Sequence, residues 1–344
     1  MFRIKETVRR VQLTGKSTYI VSLPRRWVQD VGLDKGETIT LIPQQDKSLL
    51  LVPRNVRRAE KSTAETIEVT GNDNPNSIVR KVVALYLLGY KNIYISTKEE
   101  CIQSAQRNIL KEFVRKKLVG TEIVSDSRNG LSLQVLLSYP ELSVGDALRR
   151  MAIIATSMHR DAINALKNLN FDLADEIIQT DDEVDRFNFY IIRELKSAVS
   201  DEQVLKEIGL EKPRDCLGYR LIARSVERVA DHAVSISKYV LMLKNPVPEY
   251  IMEKLERMSG FAISGFDQAI KSLFTKDYSS ADQVIEDHLK IGAMEKEVVT
   301  EISESNLDVE AVSLLRLVVE SIRRTAEYGS DIAEVVLNLT IPVH

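Results

Sequence analysis

The carboxyl-terminal part of this chain contains one sequence pattern twice. Residues 148–178 align without a gap on residues 255–285, and eleven of the thirty-one aligned positions are identical. Chance would give about two or three identities. Farther along the chain the offset between the copies falls from 107 to 96, so the first copy holds about eleven extra residues. The duplication constrains the fold, because both copies must form the same elements and bury the same apolar positions.

Each copy is predicted to contain three long helices. In the third helix of the first copy, apolar residues recur at alternating steps of four and three, which is the spacing of a bundle seam. These residues are Ile222, Val226, Val229, Ala233, Ile236, Val240 and Leu243. The predicted helices span roughly 143–168, 171–200, 214–244, 248–275, 278–305 and 308–339. The expected architecture is an all-α domain of two repeated three-helix bundles.

Two smaller segments precede the helices, so we expect a multi-domain chain. Residues 8–53 alternate short β-prone runs with one small helix, which starts near Pro24 and stops at Gly32. A βαβαββ pattern follows, which indicates a small α+β domain with its helices on one face of a sheet. The predicted boundaries are 1–55 for the mostly-β domain, 56–140 for the middle domain and 141–344 for the helical domain. Within the helical domain, repeat one spans 142–245 and repeat two spans 247–340.

Charge is distributed unevenly along the chain. Residues 1–61 contain 13 Lys/Arg against 6 Asp/Glu, whereas the remainder contains 34 against 44. A basic head on an acidic body indicates different partners for the two ends. No signal sequence or membrane-length apolar run is visible, and Cys101 and Cys216 lack metal-site spacing. We therefore expect a cytoplasmic protein with no membrane insertion.

The basic residues of the head flank its predicted turns and its helix start. They are Arg9, Arg10, Lys16, Arg25 and Arg26, and Arg54, Arg57 and Arg58 follow in a linker. If the head dimerises, as its thin core suggests, these side chains double along one face and can track DNA phosphates. The alternative is an ordinary solvated basic surface.

Two acidic pairs in the first copy are candidate metal ligands. Asp181 and Asp185 lie one turn apart on the second helix, and Glu227 and Asp231 lie one turn apart on the third. Carboxylates at this spacing share one helix face and repel each other unless a cation lies between them. Two such pairs on neighbouring helices suit hard metal ions, at a site expected on the surface. Solvated acidic surface is the alternative interpretation, and a metal-dependent hydrolase is a more remote one.

The second copy does not repeat these pairs. His288 and Gly292 stand where the first copy has Asp181 and Asp185, and Arg323 and Glu327 replace Glu227 and Asp231. The chain also lacks a recognisable nucleotide-binding loop, catalytic triad or Glu-x-x-His metal motif. The sequence therefore predicts a protein that is not an enzyme, with at most one intact metal site.

Two segments resemble known families. The run VQLTGKSTYIVSLP at 11–24, followed by Trp27 and the turn Gly32-Leu33-x-x-Gly36-Glu37, resembles the SpoVT/AbrB swapped-hairpin DNA-binding domain. The duplicated helices, with the acidic motifs at 181–185 and 227–231, are similar to PhoU, the phosphate-uptake regulator, over roughly 142–340. PhoU proteins carry E/D-x-x-x-D motifs that bind metal clusters in each repeat, and here only the first repeat keeps them.

The combined resemblance implies an archaeal-type PhoU regulator with an AbrB-like head. We expect a homodimeric regulator of phosphate homeostasis that binds DNA through its head. Its helical domain would be a sensor, with divalent or iron-type metal ions at Asp181, Asp185, Glu227 and Asp231. The alternative is a signalling adaptor that docks on a phosphate transporter or kinase and uses the head only for dimerisation.

Overall fold

The structure is a computed structural model that describes residues 7–15, 17–43, 47–53, 64–136 and 142–341. The chain divides into two compact units, residues 1–62 and residues 63–344. No helix in the described ranges is both long and apolar enough to cross a membrane.

The first unit contains two antiparallel hairpins and one short helix. Strands β1 (Gln12–Thr14) and β2 (Thr18–Ile20) form the first hairpin, and β3 (Ile39–Pro43) and β4 (Leu49–Pro53) form the second. Helix α1 (Arg25–Asp30) lies between them, with Pro24 as its N-cap rather than inside its first turn. The predicted stop at Gly32 is confirmed: this glycine has a φ of 63°, and the helix ends in a Schellman motif closed by the Leu33 amide donating to the Val28 carbonyl.

The middle segment forms a four-stranded sheet with two helices on one face. The elements are β5 (Ala64–Glu68), α2 (Pro75–Leu87), β6 (Asn92–Ser96), α3 (Ser104–Lys117), β7 (Thr121–Ser127) and β8 (Gly130–Val135), in the sheet order β5-β6-β8-β7. Alternate strand residues such as Ile93, Ile95 and Leu133 are buried, whereas Tyr94 points to the exposed face. The βαβαββ order is confirmed. Helix α3 begins at Ser104, because Gln103 and Gln106 form a capping box there.

Helices occupy the rest of the described chain. They are α4 (Val144–Asn168), α5 (Phe171–Ala198), α6 (Glu202–Glu207), α7 (Asp215–Met242), α8 (Glu249–Thr275), α9 (Tyr278–His288), α10 (Ile291–Glu304) and α11 (Val309–Thr340). Short α6 lies in the extra segment of the first copy. The predicted helix 278–305 is wrong in one respect, since it is divided into α9 and α10 by a turn at Leu289 and Lys290.

The two copies share their first turn in detail. Leu169 and Lys276 end α4 and α8 in the left-handed conformation, with φ of 49° and 53°, although neither is glycine. Asn170 and Asp277 then cap α5 and α9 by accepting hydrogen bonds from the amides three residues on. The same backbone turn thus recurs 107 positions apart, as the aligned sequences require.

The apolar cores follow the predicted pattern. All seven residues of the predicted seam are buried, six of them on α7 and the seventh, Leu243, at its C-cap. One continuous core includes residues of both copies, with α11 packed on α7 and α8 and with α4 packed on α5, α7 and α8. A separate core fills the space between the sheet and its helices. The described chain is therefore a small β unit followed by a unit in which an α+β segment precedes a duplicated helical bundle.

The middle segment is attached to α5 by a buried arginine. The Arg193 guanidinium lies over the ring of Tyr86 at 4.8 Å. It donates to the backbone carbonyls of Tyr86, in the last turn of α2, and of Gly89 and Tyr90, just after the helix. These carbonyls lie at the carboxyl-terminal end of α2, and a cation suits the negative end of the helix dipole. Arg193 therefore fixes the position of α5 relative to the sheet domain.

Candidate functional site

The four candidate carboxylates lie on two helices that pack against each other. Asp181 and Asp185 belong to α5, and Glu227 and Asp231 belong to α7. Asp231 is exposed and the two residues on α5 are half-buried, but Glu227 is only 8% exposed. The expected surface position is therefore wrong for Glu227, because its helix turns this carboxylate inward against α5.

Proximity and partial burial raise the pKa values of this acidic cluster, by which we mean Asp181, Asp185, Glu227 and Asp231. Burial, followed by the charges of Asp185 and Asp231, raises the pKa of Asp181 to about 6. Burial, followed by Asp231, raises the pKa of Glu227 to about 7. Burial and Asp185 also raise the pKa of Asp231. The two predicted pairs thus act on each other across the helix interface.

Two basic side chains that the sequence did not single out contact the acidic cluster. Lys117, at the end of α3, lies 2.6 Å from Asp185 and 2.9 Å from Asp182. Arg224 donates to both carboxylate oxygens of Glu227 at 2.5 and 2.6 Å. The Arg224 pair has an i, i+3 spacing that a sequence can show, whereas the Lys117 contact joins residues that are distant along the chain.

The fit of this cluster to a metal ion is mixed. Carboxylate oxygens are the donors that hard cations prefer, and Oδ1 of Asp181 is buried with no hydrogen-bond partner in the described residues. However, Lys117 and Arg224 already neutralise two of the carboxylates. Within the described ranges, no three His, Cys, Asp or Glu side chains are arranged to hold a metal ion. The carboxylate oxygens are suitable ligands for a cation, but in this structure Lys117 and Arg224 already pair with two of the four carboxylates.

In the second copy an arginine stands in place of a carboxylate. Arg323, at the position of Glu227, donates to Glu320 at 2.7 Å and also to Glu327, and lies 3.6 Å from Glu295. His288, at the position of Asp181, is half-buried. The second copy therefore has an arginine side chain among glutamates of α10 and α11, where the first copy has a carboxylate.

The basic residues of the first unit are solvent-accessible where they are described. Arg9 and Arg10 precede β1, and Arg25 and Arg26 open α1, all four with exposed side chains. Lys16 lies outside the described residues, as do Arg54, Arg57 and Arg58 of the predicted linker.

The duplicated helices match a known protein family. The PhoU domain matches residues 148–240 and again 255–336, which together make up about half of the chain. The chain belongs to the PhoU family. Both matched segments lie within the two repeats predicted from the sequence.

Relatives of the PhoU family match the same region at low identity. The phosphate-specific transport system accessory protein PhoU homolog 1 of Thermotoga maritima is 22% identical over 198 residues, covering 56% of this chain and 83% of the relative. The crystal structure of the phosphate transport system regulatory protein PhoU from Streptococcus pneumoniae matches with a TM-score of 0.50 and 20% identity, over 57% of this chain and 92% of that one. PhoU from Pseudomonas aeruginosa gives a TM-score of 0.48 at 18% identity, over 57% and 94%.

The first unit matches a second family. Residues 12–59 match the family described as antidote-toxin recognition MazE, a bacterial antitoxin. The AbrB-like prediction for this segment is thereby confirmed. The PhoU repeats of this chain therefore follow an additional amino-terminal domain.

Proposed function

We propose that this chain is a dimeric regulator of phosphate homeostasis whose amino-terminal domain binds DNA. The observation that carries the proposal is the occurrence of two PhoU domains and a MazE-like domain on one chain. The printed names of the relatives connect the helical region with phosphate transport. The proposal assigns the protein a regulatory role and no catalytic step.

The apolar surface of the first unit supports dimerisation. Of its described residues only Pro53 is buried, while Leu13 is 59% and Tyr19 is 75% exposed. Exposed apolar hairpins of this kind require a cover, because so small a unit has no adequate core of its own. A second copy of the same hairpins provides that cover and brings two sets of arginines to one assembly.

The arrangement of basic residues supports DNA contact. Arg25 and Arg26 are adjacent at the start of α1, and Arg9 and Arg10 are adjacent before β1. Arginine side chains neutralise DNA phosphates and release counterions, so the affinity falls steeply with salt. Lys16 belongs to the same proposal on sequence grounds.

Gel-shift or fluorescence-anisotropy measurements with duplex DNA at 50 and 200 mM salt test this assignment. We expect binding that weakens with salt and falls at least about tenfold in an Arg25→Gln/Arg26→Gln variant. A Lys35→Gln/Lys47→Gln variant, which removes the same charge from exposed turn residues of the same unit, is the matched control. If the full chain binds no duplex even at low salt, the DNA assignment is wrong.

We further propose that the acidic cluster is a metal site of the helical sensor. A bound divalent or iron-type ion would supply positive charge that links α5 to α7, through Asp181, Asp185, Glu227 and Asp231. The raised pKa values of Asp181 and Glu227 and the unpartnered Asp181 oxygen support this assignment. Metal analysis of the purified chain against an Asp181→Ala/Asp231→Ala variant tests it, and equal metal content in both would make the cluster solvated acidic surface.

A second candidate function is an adaptor that docks on a phosphate transporter or kinase and uses the amino-terminal domain only to dimerise. The name of the Thermotoga maritima relative, a transport system accessory protein, favours it. The Arg25→Gln/Arg26→Gln variant separates the two functions in cells. Regulation of phosphate uptake is lost in this variant if DNA binding is the output, and it is retained if the chain is an adaptor.

A further inference from the structure

A polar cleft lies where the middle segment, with its four-stranded sheet, meets the first helical repeat. Its volume is about 210 Å³, and it is lined by the end of α3, the start of β7 and one turn of α5. The charged residues of the lining are Arg115, Arg186 and Glu122, and the others are Leu118, Gly120, Thr121 and Ile123. This volume is several times the roughly 30 Å³ that one water molecule occupies in the liquid. The cleft therefore has room for a small polyatomic ion.

Arg115 of α3 and Arg186 of α5 differ from the other basic residues near the carboxyl-terminal end of α3. Arg107 and Lys111 pair with Asp126, Lys116 pairs with Glu112, and Lys117 pairs with Asp182 and Asp185. The side chains of Arg115 and Arg186 form no hydrogen bond or ion pair with another residue in the ranges that the structure describes. Two guanidinium groups facing one cleft repel each other, and an anion between them removes that repulsion.

The shape of the lining also suits a phosphate group. Guanidinium groups present planar pairs of N–H donors that match phosphate oxygens. Strand β7 is the edge strand of the sheet, so its outer backbone groups face away from β8. A second, shallower depression of about 340 Å³ shares Arg115 with the cleft, and its other lining residues are Asn108, Lys111, Glu112 and Lys116.

We propose that the cleft formed by α3, β7 and α5 binds phosphate groups through Arg115 and Arg186. Geometry and charge make the cleft an anion site, and only the choice of phosphate among oxyanions rests on the proposed function. Arg186 directly follows Asp185, and Arg115 precedes Lys117 by two residues. The two arginines thus belong to the same two packed helices, α3 and α5, that carry the Lys117–Asp185 ion pair.

Isothermal titration calorimetry of the full chain tests the site. The ligands are inorganic phosphate, pyrophosphate and ADP, at fixed ionic strength and with chelator present, so that no metal carries an anion to the acidic cluster. We expect one site per chain, with the affinity reduced at least about tenfold in Arg115→Gln and in Arg186→Gln, because each loses charge-assisted hydrogen bonds. Tighter binding of pyrophosphate than of ADP identifies an inorganic ligand, and the reverse identifies a nucleotide.

Three control variants make the test specific. Arg80→Gln removes an exposed charge from α2, outside the cleft, and is expected to bind as the unaltered chain does. Glu122→Gln removes the carboxylate of the lining and is expected to bind several times more tightly. Asp181→Ala/Asp231→Ala is expected to leave anion binding unchanged, which separates this site from the proposed metal site. The proposal is overturned if no anion binds, or if Arg80→Gln weakens binding as much as Arg115→Gln and Arg186→Gln do.

Discussion

His159 is a fully buried titratable residue in the helical core. Its Nε2 lies 2.8 Å from the Ser259 hydroxyl, and its Nδ1 lies 3.4 Å from the Thr325 hydroxyl. Because the Thr325 hydroxyl donates to the Ser321 carbonyl, it accepts from Nδ1–H, which leaves Nε2 as the acceptor for Ser259. Burial, followed by His232 and Arg160, lowers the His159 pKa to about 4. The neutral imidazole thus joins α4 to α8 and α11.

The buried imidazole predicts a pH dependence of stability. Between pH 6.5 and pH 4 the unfolded chain binds a proton at His159 and the folded chain does not, so this residue destabilises the fold as the pH falls, by about 3 kcal/mol in full. Asp181 and Glu227 act in the opposite direction, because their pKa values are raised. Urea unfolding at pH 4.5 and 7 should therefore show less loss of stability on acidification in His159→Gln than in the parent. An identical loss in both would contradict the prediction.

Lys117, the last residue of α3, contacts the acidic cluster through Asp185. Replacing it with methionine frees Asp185 and removes a positive charge, so Lys117→Met is expected to bind a divalent cation such as Mn²⁺ about tenfold more tightly. Lys116→Met is the matched control, since Lys116 pairs mainly with Glu112 at 2.9 Å and lies 3.9 Å from Asp182. Calorimetric titration with Mn²⁺ checks this, and equal affinities in the two variants would show that Lys117 does not compete with the metal.

At the scale of elements, the sequence was most informative where the same apolar pattern occurs twice. Repetition and seam spacing predicted the helices, because burial of one face dictates that periodicity. The division into α9 and α10 was missed, since apolar spacing continues across the turn at Leu289 and only Gly292 nearby marks weak helix propensity. The four carboxylates were found from local spacing. Lys117 was not, because its contact with Asp185 depends on how the sheet domain packs on α5.

Helices α8 and α11 approach each other closely at a glycine. A Cβ atom at Gly329 would lie 3.0 Å from the backbone nitrogen of Phe266, so Gly329→Ala forces the two helices apart and is expected to destabilise the fold by about 1–3 kcal/mol. Gly260→Ala in α8 is the control, because a Cβ there meets nothing within 4 Å and alanine favours a helix by about 1 kcal/mol. The midpoint of denaturant unfolding should fall in Gly329→Ala and rise in Gly260→Ala. If both substitutions raise the midpoint, the close approach of α8 and α11 at Gly329 is contradicted.

At the scale of the whole molecule, the proposed dimer interface belongs to the first unit. Leu13 and Tyr19 are cross-strand partners in the first hairpin, and both are largely exposed. We expect the full chain to be a dimer by analytical ultracentrifugation and a Leu13→Glu/Tyr19→Glu variant to be a monomer, because two buried carboxylates would face each other across the interface.

A matched variant locates the interface. Leu217 and Leu221 on α7 are similarly exposed, at 70% and 58%, so Leu217→Glu/Leu221→Glu introduces the same charges in the helical region. This control is expected to remain dimeric. Dissociation of the control, with the first variant still dimeric, would move the interface to the helices.

Arg323 gives the second copy a cation on the same helix as two of the glutamates that it contacts. Its guanidinium remains beside Glu320 and Glu327 at a local concentration that dilution, chelators and metal supply do not change. The acidic cluster of the first copy has Lys117 from a different part of the chain as one of its cations, so its charge balance depends on how that part is placed. The ion pair of Asp185 therefore depends on the packing of α3 against α5, whereas the ion pairs of Glu320 and Glu327 are made within α11.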